Sequence, residues 1–295
     1  MNKKYDVMII GPATRDENID YTGNVVHEFG GAVFFCAHAA ALTGAKVINA
    51  VAINPEDQDI LSSFPENADT AIIPSKKTTL MRNTYFTADR ERRKAECLEQ
   101  SDPILPADIP DVDCKLYHLA GLLYGDFPNE LIEALSKKGK LTADIQGFLR
   151  HNEGGTMNFH DWADKLKYLK YFDILKTDAA EAEILTGTDD RREAAKMMIG
   201  WGVKEVLISH NSEMLVYDGK DFYTCPVKAR NLSGRTGRGD TTFGSYISER
   251  IIGKSILEAL LYATAAVSYK MEQPGPISGS RADVEKYISD FYGAQ

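Results

Sequence analysis

The chain has no long apolar run, no cysteine pair at metal-ligand spacing and no excess of basic charge. The first apolar stretch ends at Gly11, too short for a secretory h-region or a membrane span, so a membrane partner is not expected and a cytoplasmic location is. Four cysteines, Cys36, Cys97, Cys114 and Cys225, lie scattered through 295 residues, which suits reduced thiols rather than a disulfide scaffold. Thirty-four basic against 43 acidic residues give a net charge of −9, which argues against nucleic acid as principal partner. No two of the six histidines stand at helical ligand spacing and no serine sits in a nucleophile elbow, excluding zinc hydrolysis and a serine triad. His118, inside an apolar run, reads as a core residue. Gly11-Pro12-Ala13-Thr14 lacks the three glycines of a dinucleotide turn, which removes nicotinamide chemistry. Gly253-Lys254, which imitates the end of a P-loop, stands between two helices and reads as a helix stop.

What is present is an ordinary globular composition, 43% hydrophobic, with short apolar runs between amphipathic stretches. Runs at Tyr5 to Gly11, Lys46 to Ile53, Leu116 to Ala120, Leu141 to Ile145, Phe172 to Lys176 and Val203 to Ser209 predict buried strands of a mostly parallel sheet. Helical spacing covers Gly31 to Thr43, Pro128 to Lys138, Ala179 to Thr186 and Arg191 to Trp201. The alternation predicts an α/β layered fold in one domain over 1–295. Residues 13–30 and 76–100 alternate polar and β-branched residues, the latter around the charged turn Asp89-Arg90-Glu91, and predict a small β-sheet lid. A hairpin is expected from Glu213 to Pro226, followed by helices to about Ile252, from Ser255 to Met271 and from Arg281 to Phe291.

Thr236-Gly237-Arg238-Gly239-Asp240 opens the first of those last helices. Two glycines let successive N–H groups face one concavity, and the helix dipole adds positive potential, which together make an anion cradle. Asp240 reads either as a base for a nucleophile that attacks a bound phosphate or as an N-terminal helix cap.

With this cradle the chain resembles the PfkB, or ribokinase-like, carbohydrate kinases over nearly its full length. Four blocks carry the likeness: Gly30-Gly31 with the small-residue helix after it, Asp16, Asp178-Ala179-Ala180-Glu181, and the cradle. The resemblance implies a ribokinase-like fold with a β lid. It makes Asp240 the base, the amides of Gly237, Arg238 and Gly239 the anion hole, and Glu181 and Asp178 the magnesium residues. Asp16, Gly30 and Gly31 would hold the substrate, and Thr236, Gly239 and Gly275 would meet ATP, whose adenine would lie around Ala265 to Gly275. A monovalent cation (K+) near the cradle and a homodimer through the lid are further implications.

Phe35, preceded by Phe34, stands where many members have asparagine, which speaks against ribose. Asp178 replaces an asparagine, adding negative charge near the metal, and Arg238 replaces an alanine, to lie along a phosphate or point to solvent. Asp144-Ile145-Gln146-Gly147-Phe148-Leu149-Arg150, read as a strand end, looks like members related to myo-inositol kinases. Arg150 is then a candidate for phosphate or substrate, or a surface ion-pair partner, and Phe148 either stacks on a ring or fills core. The expected activity is ATP- and magnesium-dependent phosphorylation of a small polyol, sugar or cyclitol. A nucleoside kinase using Phe34 and Phe35 to stack a base, and a non-catalytic sugar- or nucleotide-binding regulator, are the alternatives.

Overall fold

Aliphatic and β-branched runs alternate with small-residue helices along this chain, and in the computed structural model, which describes residues 3–87 and 93–293, they form two sheets with helices on both faces of the larger. The first strands are β1 (Lys4–Pro12), β2 (Thr14–Ile19), β3 (Val25–Gly30), β4 (Val47–Ile53) and β5 (Asp69–Pro74). The middle ones are β6 (Thr79–Tyr85), β7 (Arg93–Glu99), β8 (Asp113–Leu119), β9 (Lys140–Asp144) and β10 (Arg150–Glu153). The last are β11 (Thr156–Phe159), β12 (Ile174–Asp178), β13 (Glu205–Ser209), β14 (Glu213–Tyr217) and β15 (Phe222–Pro226). Between them run α1 (Ala32–Leu42), α2 (Asn129–Leu135), α3 (Gln146–Leu149), α4 (Lys165–Tyr168) and α5 (Ala179–Thr186). Then come α6 (Arg191–Gly200), α7 (Arg238–Ile251), α8 (Ile256–Lys270) and α9 (Arg281–Phe291).

The main sheet has the order β15-β14-β13-β12-β9-β8-β1-β4-β5, parallel except for the hairpin of β14 and β15 added beside β13. Successive residues of β1 face opposite sides. Met8 and Ile10 pack in the core with Leu131, Leu185 and Ala194 of α2, α5 and α6, while Val7 and Ile9 pack with α1, α7 and α8. This two-sided burial is why the central strands are mostly apolar.

The chain passes from β1 to the second sheet through Ala13 alone, then forms the order β10-β11-β7-β6-β2-β3. The lid is therefore larger than expected, because β10 and β11 join it. Arg150 accordingly opens a lid strand after one turn of helix, rather than ending a strand of the main sheet. The edge strand β5 and the 3-10 stretch Pro55–Ser63 were also not foreseen, since their mixed polar composition carries neither period. The expected turn Asp89-Arg90-Glu91 lies outside the described residues. No described helix is long and apolar enough to cross a membrane.

Candidate active site

The parallel strands β1, β8, β9, β12 and β13 end at one edge of the main sheet, where an open α/β sheet forms its ligand crevice. The cradle sits there. Gly237 adopts φ +74° and precedes α7, and a Cβ on it would come to 2.2 Å from the Phe35 ring below. A Cβ on Gly239 would come to 2.9 Å from Nζ of Lys176. Gly237 is thus required by the ring under it and by its left-handed backbone, while a side chain at Gly239 would press on the ammonium end of Lys176. The amides of Gly237, Gly239 and Asp240 donate to no acceptor among the described residues, and they open the 14-residue helix α7. Unpaired N–H groups at the positive end of a helix make an anion site.

Asp240 lies in the first turn of α7 and is not the N-cap, a place taken by Gly237. Burial, with Asp144 nearby, raises its carboxyl to about 6 against the pull of Lys176, Arg150 and Lys270. A carboxylate poised near neutrality beside an anion cradle is equipped to accept a proton.

Beneath the cradle lies an ion cluster that sequence reasoning did not assign. Register pairs Lys176 of β12 with Asp144 of β9, and their side chains meet at 2.7 Å, with Glu181 at 3.8 Å from the same Nζ. All three side chains are buried. Burial opposes charge on Lys176, but Asp144 and Glu181 outweigh it and hold the ammonium well above the usual lysine range. The available signal was a lysine directly after Ile174 and Leu175 in a strand expected to be buried.

Asp178 and Glu181 form a capping box at the start of α5. The Asp178 amide donates to Glu181 Oε2 at 2.8 Å and the Glu181 amide to Asp178 Oδ1 at 2.8 Å. Glu181 Oε1 accepts no hydrogen bond from any described residue. The described residues contain no group of three or more His, Cys, Asp or Glu able to hold a metal by themselves. The pair suits an ion that keeps its waters and is shared with a phosphate ligand, as magnesium does.

The inner face of the lid faces this crevice, since Met81 and Cys97 on it pack against Leu122 and Leu123 after β8. Asp16, Asn18, Glu28 and Asn83 share that face by register. Asn18 donates to Glu28 Oε2 at 2.6 Å and Asn83 donates to Asn18 Oδ1 at 3.1 Å, while Thr14 Oγ1 donates to Asp16 at 2.6 Å. Burial raises Asp16 to about 6, with Thr14 and Arg93 opposing. A Cβ on Gly30 would reach 2.7 Å from Asp16 Oδ2, so glycine there makes room for the carboxylate, while Gly31 turns the chain into α1 at φ +95°. Five residues later Cys36 Sγ donates to the Asp240 carbonyl at 3.3 Å. The start of α1 thus touches the lid carboxylate through Gly30 and the backbone of the cradle through Cys36. Asn18, Glu28 and Asn83 went unassigned because only strand pairing brings them together.

The remaining expected residues divide. Phe34 packs edge-on against Phe35, His38 and Phe64, and both phenylalanine rings are buried, which removes the base-stacking surface the sequence offered. Phe35 instead supports Gly237. Phe148 fills core against Trp162 and Phe172. Arg150 donates to Gln146 Oε1 at 2.5 Å and lies over Phe159, turned toward Glu181, Asp144 and Asp240 rather than toward a surface carboxylate. Arg238 hydrogen-bonds Asn211, with Arg235 and Asp178 close enough to act on its charge. His118 is buried, held by Thr142 at 3.2 Å, and burial keeps it neutral.

The expected adenine region is buried along α8 and exposed in the loop after it, from Gln273 to Gly275. Ala265 and Ala266 lie in the core with Tyr262 and Ile277. The loop before the cradle is fastened to the end of α8 by Gly234 N donating to the Met271 carbonyl at 2.8 Å and by the Arg230–Glu272 ion pair. Gly234 also packs on the Gln273 carbonyl, where a Cβ would come to 1.7 Å, and Gly275 lies in the loop beyond at φ +82°.

Comparison with known proteins decides the family. The model of the pfkB family of carbohydrate kinases matches residues 4–283. The chain belongs to that family. Among solved PfkB-type structures it is similar to a pyrophosphate-dependent kinase in the ribokinase family complexed with a pyrophosphate analog and myo-inositol. That likeness has 34% identity, a TM-score of 0.87 and coverage of 95% of this chain and 99% of the other. A pyrophosphate-dependent myo-inositol-1 kinase converted by mutation into a myo-inositol-3 kinase is 33% identical at TM-score 0.86, covering 97% of this chain and 99% of that one. Arabidopsis thaliana ribokinase complexed with ribose and ATP shares the fold at 15% identity and TM-score 0.74, over 97% and 99% of the two chains. In sequence, the cytidine kinase of Thermococcus kodakarensis is 26% identical over 273 residues, 86% of this chain and 92% of that protein. The PfkB assignment makes the chain a kinase of the ribokinase family, with the large sheet and smaller second sheet of that fold.

Proposed function

We propose that this kinase phosphorylates a hydroxyl of a cyclitol of the myo-inositol class, with Asp240 as general base and pyrophosphate as donor. The observation that carries this reading is the pairing of an anion cradle containing a raised carboxylate with a lid face of Asp16, Asn18, Glu28 and Asn83. Carboxylates and amides on one face accept from and donate to several neighbouring hydroxyls. Asp240 takes the hydroxyl proton as that oxygen attacks phosphorus. The bridging P–O bond breaks, and inorganic phosphate leaves. The amides of Gly237 and Gly239 stabilise charge on the transferring group, each such donor being worth about 10²- to 10³-fold in comparable sites. Magnesium, when bound, neutralises the donor phosphates, and Asp178 and Glu181 would hold it through water. Pyrophosphate is favoured over ATP by the positive charge of Arg235 and Arg238 beside the cradle and by the 33–35% identical relatives.

The test is turnover of the purified protein with magnesium and either pyrophosphate or ATP, across myo-inositol, ribose, fructose, cytidine and adenosine. Phosphorylated myo-inositol from pyrophosphate supports the reading, and ATP as the better donor overturns its donor half. A nucleoside acceptor is the second reading, favoured by the cytidine kinase relative, and preferential turnover of cytidine would establish it instead. Ligand-induced stabilisation without any phosphate release would identify a binding protein.

Asp240 and Asp16 both have to be ionised in this reaction, and both titrate near 6. The kcat/KM profile should therefore be flat above neutrality and fall below pH 6 with a slope steeper than one, a loss of about a hundredfold at pH 5. The Asp16→Asn variant should keep an acid limb of slope one; an unchanged steep limb in that variant would remove Asp16 from the profile.

Exposed apolar side chains gather on the lid strands and their ends, among them Val25 and Val26 on the edge strand β3. Pairing of two lids through that edge would cover them. Light scattering at micromolar concentration is expected to give twice the chain mass, and monomer alone would refute this dimer.

A further inference from the structure

Lys270 ends α8 and is 3% exposed, with no carboxylate of the described residues in hydrogen-bonding reach. Its Nζ donates to the Gly234 carbonyl at 2.6 Å and to the Thr236 carbonyl, and lies 5.4 Å from the Phe35 ring centroid. Burial lowers its ammonium to about 8, and the charge that opposes this is Asp240. A buried lysine satisfied by backbone oxygens and an aromatic face is an unusual arrangement, because the desolvation of the charge is only partly offset.

The peptide plane explains what the arrangement does. In a trans peptide the carbonyl of one residue and the N–H of the next point in opposite directions. Drawing the Thr236 carbonyl down onto Lys270 turns the Gly237 N–H up and away from it, into the cradle where it has no acceptor among the described residues. The Gly234 carbonyl is held in the same way, and Gly234 is also fixed to Met271, so the loop entering the cradle is fastened at both ends of Lys270's reach. A monovalent cation near the cradle, as the family resemblance implies, would seek bare carbonyl oxygens of this kind. Here the Gly234 and Thr236 carbonyls are already satisfied by a covalently attached cation, so these residues do not fit a dissociable one.

We infer that Lys270 is a built-in cation, a positioning residue that aims the cradle amides and makes activity independent of potassium. The inference rests on the cradle being the donor site, and it is tested in a way that separates the two. Wild-type protein and the variants Lys270→Ala and Lys270→Met are compared in potassium, sodium and tetramethylammonium chlorides at equal ionic strength. Wild-type kcat should be the same in all three salts. The alanine variant, which leaves a cavity, should lose about 10²-fold in kcat in tetramethylammonium, with a smaller change in donor KM, and regain about tenfold with potassium or methylammonium. The methionine variant, which fills the space without charge, should lose activity and regain none.

Thermal unfolding gives a readout that needs no turnover. The wild-type midpoint should be the same in potassium and tetramethylammonium, and that of Lys270→Ala should rise in potassium. Specific activation or stabilisation of the wild type by potassium overturns the inference, as does an alanine variant with wild-type kcat or a loss that no cation restores. If the variants do not fold, the wild-type salt comparison decides alone. If the wild type turns over no substrate, the kinase reading has failed, while the unfolding comparison still decides the role of Lys270.

Discussion

Replacing Asp240 by Asn is expected to lower kcat by about 10²- to 10⁴-fold, with donor affinity changed far less. Asparagine keeps the shape of the side chain and its place in the first turn of α7, and it removes the capacity to take a proton. The same variant should be more stable than wild type at pH 7 to 8. The Asp240 carboxyl is raised by burial, so its ionised form opposes folding above its folded-state value of about 6. The cost is relieved as pH falls toward the ordinary carboxylate range, because the folded protein then holds the proton. The gain in melting temperature should therefore shrink between pH 6 and 4. A variant with most of its activity, or one less stable than wild type at pH 8, would remove Asp240 from the role of base held at a stability cost.

Lys176→Met should be the most damaging substitution to the fold around the site. It leaves Asp144 and Glu181 buried without their counter-ion, and breaking a buried pair in this way costs about 3–5 kcal/mol. For a chain of this size that corresponds to a melting temperature lower by about 5–8 °C. Because the two abandoned carboxylates would hold protons more tightly in the folded than in the unfolded state, the deficit should diminish as pH falls from 8 to 5. Adding Asp144→Asn to Lys176→Met should restore part of the loss. Chemical denaturation of the two variants and wild type at both pH values checks the series, and a loss independent of pH would point to packing instead of charge.

The layered architecture was legible because the strands of the main sheet are buried on both faces, which gives mostly apolar runs such as those of β1 and β4. The cradle was legible because it has a glycine, Gly237, forced by backbone geometry and by the Phe35 ring beneath it. The ion cluster was harder to see. Lys176 and Asp144 are 32 residues apart and meet only through the register of β12 on β9, which no local pattern encodes. The lid residues Asn18, Glu28 and Asn83 depend in the same way on strand pairing across β3, β2 and β6. Phe34 and Phe35 misled in the opposite sense. An aromatic pair at a site position suggested ligand stacking, while packing gives both rings to the core and one of them to the underside of the cradle. Strand β5 and the hairpin of β10 and β11 were missed because short, half-exposed segments have too few residues to establish a period.

The packing of α1 against α7 has a consequence for how the chain is made. Phe35 supports Gly237, the Cys36 thiol meets Asp240, and Gly244 lets α7 approach the Cys36 backbone, where a Cβ would come to 2.7 Å from its carbonyl oxygen. Yet roughly two hundred residues separate the two helices. At ribosomal rates of about 5–20 residues per second, α1 waits about ten to forty seconds for its partner. Throughout that interval a helix made largely of alanine, valine and phenylalanine has no mate on one flank. A nascent chain halted before residue 238 therefore presents an adhesive apolar surface, the sort of intermediate that holdase chaperones capture and that aggregates without them.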